Sequence, residues 1–396
     1  MHSPTANTLL IHGGRVLTPA GILDDGWVLA EGTKIVAVGL GLPERHAAKQ
    51  IDAQGQLVAP GFIDIHTHGG DGADYSDGTL EAYEAATKFH VRHGVTALQA
   101  TTAAVPLGEI RRALDAARAW TAARRPGTAT VLGVHVEGPY ISVAQRGCQP
   151  AGNILEPRPS DIDFLLSYAD IITEVTLAPE LPGALEMIRR LAGANILVSA
   201  GHSNAYEADM QAAIAAGVRH VTHIYSAMSA MKREGPYRIP GLLEVALTQT
   251  HLTTEMIADG KHLPPTLMRL VLACKGMGQV CLVSDAMRGA GLPEGQRLAI
   301  AGVEAIVQDG VAMMADMTGF AGSITPVDQM VRNVVRMLDL PAQAALAMVT
   351  HTPAVVLGID GQKGSIAPGM DADLVVLDAG LNVRQTIVGG QVAFDA

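Results

Sequence analysis

Hydrophobic and polar positions change rhythm twice along this chain. Up to residue 56, short Val-, Ile- and Leu-rich runs ("LLIHGGRVL", "GWVLAEG", "KIVAVG", "QIDAQGQLVAP") are cut by Gly, Pro and Asp clusters. That texture predicts short strands joined by tight turns. Over 57–357, apolar runs of strand length alternate with Ala-rich stretches such as "EAYEAATKFHVRHG" and "EADMQAAIAAG", whose period is helical. The last segment, 358–396, returns to the first texture in "GSIAPGMDADLVVLD" and "VRQTIVGGQVAF".

The middle holds about eight apolar runs, at 57–65, 95–101, 130–136, 171–177, 196–201, 219–225, 252–257 and 279–284. Near-continuous apolar strands alternating with helices imply a parallel sheet. About eight such units close into a barrel. The expected fold class is therefore α/β, a (β/α)8 TIM-type barrel over 57–357. Segments 1–56 and 358–396 are expected to join as a small discontinuous β-sandwich domain. An open doubly wound sheet is the lesser option. No G-x-G-x-x-G follows a strand, and "MADMTGFAGS" lacks a P-loop lysine, so neither nucleotide-binding loop is supported.

Composition narrows the partners. A net charge of −11 over 396 residues disfavours nucleic acid or an anionic membrane. No uninterrupted apolar run reaches the ~18 residues of a membrane helix. The opening "MHSPTANTLL" has no basic segment before an apolar one, so no secretory leader is expected. Cys148, Cys274 and Cys281 have no metal-type spacing and cannot all pair, which suits a reduced compartment, the cytoplasm.

The chemistry gathers at the strand ends. The first run ends in His66 and His68, which point the same way because strand side chains repeat every second residue. The third ends in Glu137, the fifth in His202, the sixth in His223 and the eighth in Asp285. In a (β/α)8 barrel every C-terminal strand end opens on one mouth, where active sites sit. His, Glu and Asp converging there make a divalent-metal site suited to hydrolysis. Each residue alone has a blander reading, as a cap or an ion-pair partner; five separate strand ends carrying such groups do not. His2, His12, His46, His90, His93, His220, His251 and His351 fall outside this pattern and are read as non-functional.

The motifs "PGFIDIHTHG", "HVEGPY", "GHSNA", "THIYSAM", "IADGKH" and "LVSDAM", in that order, resemble the N-acetylglucosamine-6-phosphate deacetylases of the amidohydrolase superfamily. The likeness extends to "FAGS" and the closing "KGSIAPGMDADLVVLD". It implies that Glu137, His202 and His223 hold the principal metal, that His66 and His68 serve a second position, and that Asp285 is the general acid/base. It further implies a divalent metal, Zn2+ first, one or two per subunit. Implied substrate contacts are Cys148, Gln149, Ser226, Ala227, Arg233, His262, Phe320, Ala321 and Gly322. The resemblance also implies a homodimer, with His262 reaching the neighbouring active site. The implied reaction removes acetate from N-acetylglucosamine 6-phosphate; N-acetylgalactosamine 6-phosphate or another amide is the alternative.

Two positions depart from the family pattern. Cys148-Gln149 stands where a small residue and His are usual, and Ser226 where Asn is usual. The spacing to Arg233 is also one residue short. A cyclic amidase with a modified bridging lysine is disfavoured by Glu137 at the third strand end. A silent scaffold on the same fold is disfavoured because all the ligands and Asp285 are present.

Overall fold

Each of the eight apolar runs contributes a barrel strand, shortened to two residues in the sixth and three in the eighth, in a computed structural model describing residues 7–41, 47–123 and 125–396. The barrel strands are β1 (Phe62–Thr67), β2 (Val95–Thr102), β3 (Thr130–Glu137), β4 (Ile172–Leu177), β5 (Leu197–Ala200), β6 (His220–Val221), β7 (Thr253–Met256) and β8 (Val280–Leu282). They pair in parallel, each beside its sequence neighbour from β1 to β8. Beyond β8 the chain returns to β1: Asp285 N–H donates to His66 O at 2.9 Å and His68 N–H to Ala286 O at 2.9 Å. That seam brings the eighth strand end against the first.

Helices cover the outside. "EAYEAATKFHVRHG" forms Leu80–Arg92, whose Thr79 side chain accepts from Ala82 N–H and caps the helix, and "EADMQAAIAAG" forms Glu207–Ala216. Strand side chains on the face away from the barrel interior, such as Ile63, Leu98, Val134, Val175 and Val198, are buried, and so are the helix residues Tyr83, Ile110, Leu114 and Ile188. Among the described residues, no helix is long and apolar enough to cross a membrane.

The run 57–65 is two strands, a correction with a local cause. Leu57–Pro60 pairs antiparallel with Leu374–Leu377, and only Phe62–Thr67 enters the barrel. Gly61 separates them, and its position admits no side chain: a Cβ there would lie 2.2 Å from Thr96 Cγ2. Strands from both chain ends hydrogen-bond into one eight-stranded sheet, separate from the barrel. It encloses its own apolar cluster, including Val16, Val28, Ile35, Val58, Leu374 and Ile387. His2 and His46 lie outside the described residues.

A second feature was not anticipated. Between Asp285 and the last helices, Arg297–Ile300, Val303–Gln308, Val311–Met314 and Phe320–Ser323 form a four-stranded antiparallel flap. The segment "MADMTGFAGS" is thus partly strand. The flap has a small core of Met287, Ile300, Ala305, Ala312 and Ala321, against which Cys148 packs.

Candidate active site

The strand ends deliver their side chains to one spot. Glu137 Oε1 is 3.1 Å from His202 Nε2 and 2.9 Å from His223 Nε2. Its other oxygen, Oε2, is 3.2 Å from His68 Nε2, and His66 Nε2 lies 3.6 Å from Oε1. Asp285 Oδ1 is 3.4 Å from the Nε2 atoms of both His66 and His68. Donor atoms of Glu137, His202 and His223 lie within 4.8 Å of one another, as do those of His66, His68 and Glu137.

The backbone helps to aim them. His202, His223 and Asp285 have left-handed conformations, with φ of 46°, 23° and 43°. Non-glycine residues adopt these only when their surroundings enforce it, a condition that recurs at active sites. Each occurs just after a barrel strand, where the chain must turn sharply at the mouth. Hydrogen bonds fix ring orientation as well. His202 Nδ1–H donates to Gln145 O at 2.9 Å, and the His66 Nδ1 contact to Glu255 Oε2 is 2.8 Å.

Rings committed through Nδ1–H present bare Nε2 lone pairs to carboxylate oxygens, an arrangement that is repulsive unless positive charge lies between. Burial alone would raise the Glu137 carboxyl. The His202 and His66 charges, with hydrogen bonds from His202 and His223, hold it well below the ordinary range. Burial would likewise raise Asp285, but His66 and His68 lower it. Burial alone would lower the His68 imidazole, but hydrogen bonds to Asp285 and Glu137 push it up to about 9. The site therefore demands positive charge, supplied either by protons on the rings or by a shared cation. Imidazole nitrogen and carboxylate oxygen are the donor set of Zn2+ and similar divalent ions, so these residues fit a metal.

His68, Glu137, His202, His223 and Asp285 form the floor of a cavity of about 280 Å³. Of the residues expected to contact substrate, Cys148, Gln149, Ser226, Ala227, His262, Phe320, Ala321 and Gly322 line it. Arg233 does not. It is exposed on the hairpin Lys232–Glu234/Tyr237–Ile239, where its Nε–H donates to Gly235 O at 2.8 Å. His262 lines the cavity of its own chain. Its Nδ1 is 2.6 Å from Asp259 Oδ2, and its ring centroid lies 4.9 Å from that of Phe320.

Gln149 does more than line the wall. Its Nε2 donates to Glu137 Oε2 at 3.3 Å while its Oε1 accepts from Ala104 N–H at 2.9 Å. Two residues escaped the sequence reading. Met287, from the loop after β8, lines the cavity under the flap. Glu255, wholly buried in β7, touches His66. The one available signal was a carboxylate inside the otherwise uncharged strand "TTEM".

The amidohydrolase family model matches residues 57–393. The N-acetylglucosamine-6-phosphate deacetylase of Bacillus subtilis is 35% identical over 396 residues, covering 98% of each chain. The N-acetylgalactosamine-6-phosphate deacetylase of Escherichia coli O157:H7 is 35% identical over 390 residues, covering 98% of this chain and 99% of that one. Among solved structures, the N-acetylglucosamine-6-phosphate deacetylase of Pasteurella multocida superposes with a TM-score of 0.91 at 29% identity, covering 97% and 99%. A mutant of the Mycobacterium smegmatis deacetylase in complex with N-acetyl-D-glucosamine-6-phosphate gives 0.89 at 30% identity, covering 98% and 99%.

Proposed function

Because the chain belongs to the amidohydrolase family, we propose that it hydrolyses the N-acetyl amide of an amino-sugar 6-phosphate, N-acetylglucosamine 6-phosphate first. The observation that carries this reading is the meeting of Glu137, His202 and His223 with Asp285 on the floor of one cavity. Glu137, His202 and His223 would hold a principal cation, and His66 and His68 with Glu137 a second. A divalent cation there, Zn2+ by its donor set, supplies Lewis acidity that acidifies water and polarises the acyl carbonyl.

The chain's own groups handle the protons. An amide is a weak electrophile with a poor leaving group. Asp285, ionised and facing the cavity, accepts a proton from the attacking water as the C–O bond forms and the carbonyl electron pair moves onto oxygen. It then returns that proton to the nitrogen as the C–N bond breaks, leaving acetic acid and the free amine, which become acetate and the ammonium when the acid's proton passes to the amine. Gln149 keeps the Glu137 carboxylate oriented throughout. The flap residues Phe320–Gly322 close one wall, which limits bulk water around the reacting amide.

His262, fixed by Asp259, is the cation-capable group on the wall suited to a phosphate. Arg233 adds nothing to the site within this chain. Acetate release should be measured on gluco and galacto N-acetyl sugars, each with and without 6-phosphate. Faster turnover of the phosphorylated pair is expected, and equal rates would sink the phosphate reading. The galacto reading has its own support, because the Escherichia coli relative is as similar as the Bacillus one. Three unpaired cysteines suit the cytoplasm. A homodimer is the proposed assembly, to be checked by sedimentation.

A further inference from the structure

Glu255 is a wholly buried carboxylate in contact with the site, and its environment is particular. It lies in β7, below the mouth, fully enclosed. One oxygen, Oε2, serves two parts of the cluster: it is 2.8 Å from His66 Nδ1 and accepts the His223 backbone N–H at 2.9 Å. The other, Oε1, has no hydrogen-bond partner and lies 3.7 Å from His220 Nε2. A buried carboxylate is costly unless its lone pairs meet donors.

Nearby groups could suggest a further cation deeper in the barrel, since donor atoms of Glu174, His220 and Glu255 lie within 4.8 Å of one another. Their hydrogen bonds argue otherwise. Glu174 Oε1 accepts from Ser199 Oγ–H at 2.5 Å, and His220 Nδ1 is 2.6 Å from Thr253 Oγ1. Glu255 Oε2 is already committed to the two histidines of the mouth. Its contacts lead upward, to one candidate ligand of each cation position.

A neutral imidazole carries one proton, on either nitrogen, and the partner of one nitrogen decides what the other can do. Only a ring with its proton on Nδ1 can donate to a carboxylate there and offer an Nε2 lone pair elsewhere. His66 Nε2 faces His68 Nε2 at 3.4 Å and Asp285 Oδ1 at 3.4 Å. We propose that Glu255 is a positioning residue: by accepting from His66 Nδ1–H it commits Nε2 of that ring to the second cation position, formed with His68 and Glu137. Its bond to the His223 N–H ties that position to the principal one. This deepens the metal-site reading above and rests on it.

The test uses the full chain, stripped with a chelator and titrated with Co2+ alone, followed by calorimetry and by elemental analysis after desalting. Wild type is expected to bind in two classes. Glu255→Gln keeps the side chain's size and removes its charge. It should weaken the weaker class by about 10–100-fold, the usual effect of removing a group that supports a metal ligand, and leave the tighter class as in wild type. His66→Gln should do the same, and adding Glu255→Gln to it should cost nothing further. Wild-type binding of a single equivalent, unaltered binding in Glu255→Gln, or additive losses in the double variant would each overturn the proposal.

If Glu255→Gln fails to fold, histidine 15N spectra of the Zn2+-loaded wild type read the same point. The ring signal that disappears in His66→Gln must belong to an Nδ1–H tautomer, and an Nε2–H tautomer overturns the proposal. Acetate release is separate: Co2+ binding sensitive to Glu255 without deacetylase activity would sink the substrate reading and leave this one standing.

Discussion

Asp285 places Oδ1 3.4 Å from His68 Nε2, and it does so from the far end of the barrel seam, since β8 returns to β1 there. The contact joins the proposed proton carrier to a proposed ligand of the second position. Asp285→Asn keeps the shape and removes the basicity. We expect unchanged metal at Glu137, His202 and His223 and turnover lower by about 10²–10⁴-fold, the usual contribution of a general acid–base. Elemental analysis paired with acetate release checks both halves. Near-normal turnover would remove Asp285 from the mechanism.

His66 and His68 should be separable from the principal position. Replacing both with Gln removes two imidazoles from a cluster in which Glu137 also serves His202 and His223. The variant should bind less metal, or a different one, while the principal site persists. Unchanged stoichiometry together with unchanged activity would count against a second position.

His262→Ala probes the phosphate. A charge-assisted hydrogen bond contributes about 1.5–3 kcal/mol, so its loss should lower kcat/KM by roughly 10–150-fold. The loss should fall on the 6-phosphate substrate and nearly vanish on the unphosphorylated sugar. Equal losses on both would mean that His262 shapes the wall without reading the phosphate.

Outside the cavity lining, His93 Nδ1 is 3.0 Å from Asp328 Oδ1, and Arg332 Nη1 is 2.7 Å from Oδ2. Burial would raise the Asp328 carboxyl, but His93 and Arg332 hold it below its ordinary range. A carboxyl lower in the folded than in the unfolded state stabilises above the unfolded value, about 3.9, and the benefit fades as pH falls through the folded value. Asp328→Asn should therefore cost about 1–3 kcal/mol at pH 7. Its deficit against wild type should shrink below about pH 4. Urea melts at several pH values measure it; a deficit independent of pH would show that charge plays no part.

What the sequence made legible was whatever ends a strand. His66, His68, Glu137, His202, His223 and Asp285 each follow an apolar run, and the barrel converts that linear regularity into proximity. Glu255 sits inside its strand, so no boundary marked it, and its role depends on which way a buried side chain points. Arg233 lies off this chain's cavity for a related reason: its place depends on the path of a hairpin, which motif spacing does not encode. The flap was hidden because its strands are short and cut by Gly and Asp turns. The split at Pro60–Gly61 went unread because the apolar run continues across it while the hydrogen-bond partners change.

That split ties the birth of the mouth to a segment made much later. Leu57–Pro60 finds its partner in Leu374–Leu377, and Gly61 N–H donates to Asp373 O at 2.9 Å. The strand leading to His66 and His68 thus begins at a junction whose other half lies far downstream in the chain. Pairing between such distant segments closes a long loop and is intrinsically slow. Two early-made histidines must wait until Leu374–Leu377 has been made before the base of their strand is anchored, so a nascent chain stalled short of Leu374 would hold that strand by its barrel neighbours alone.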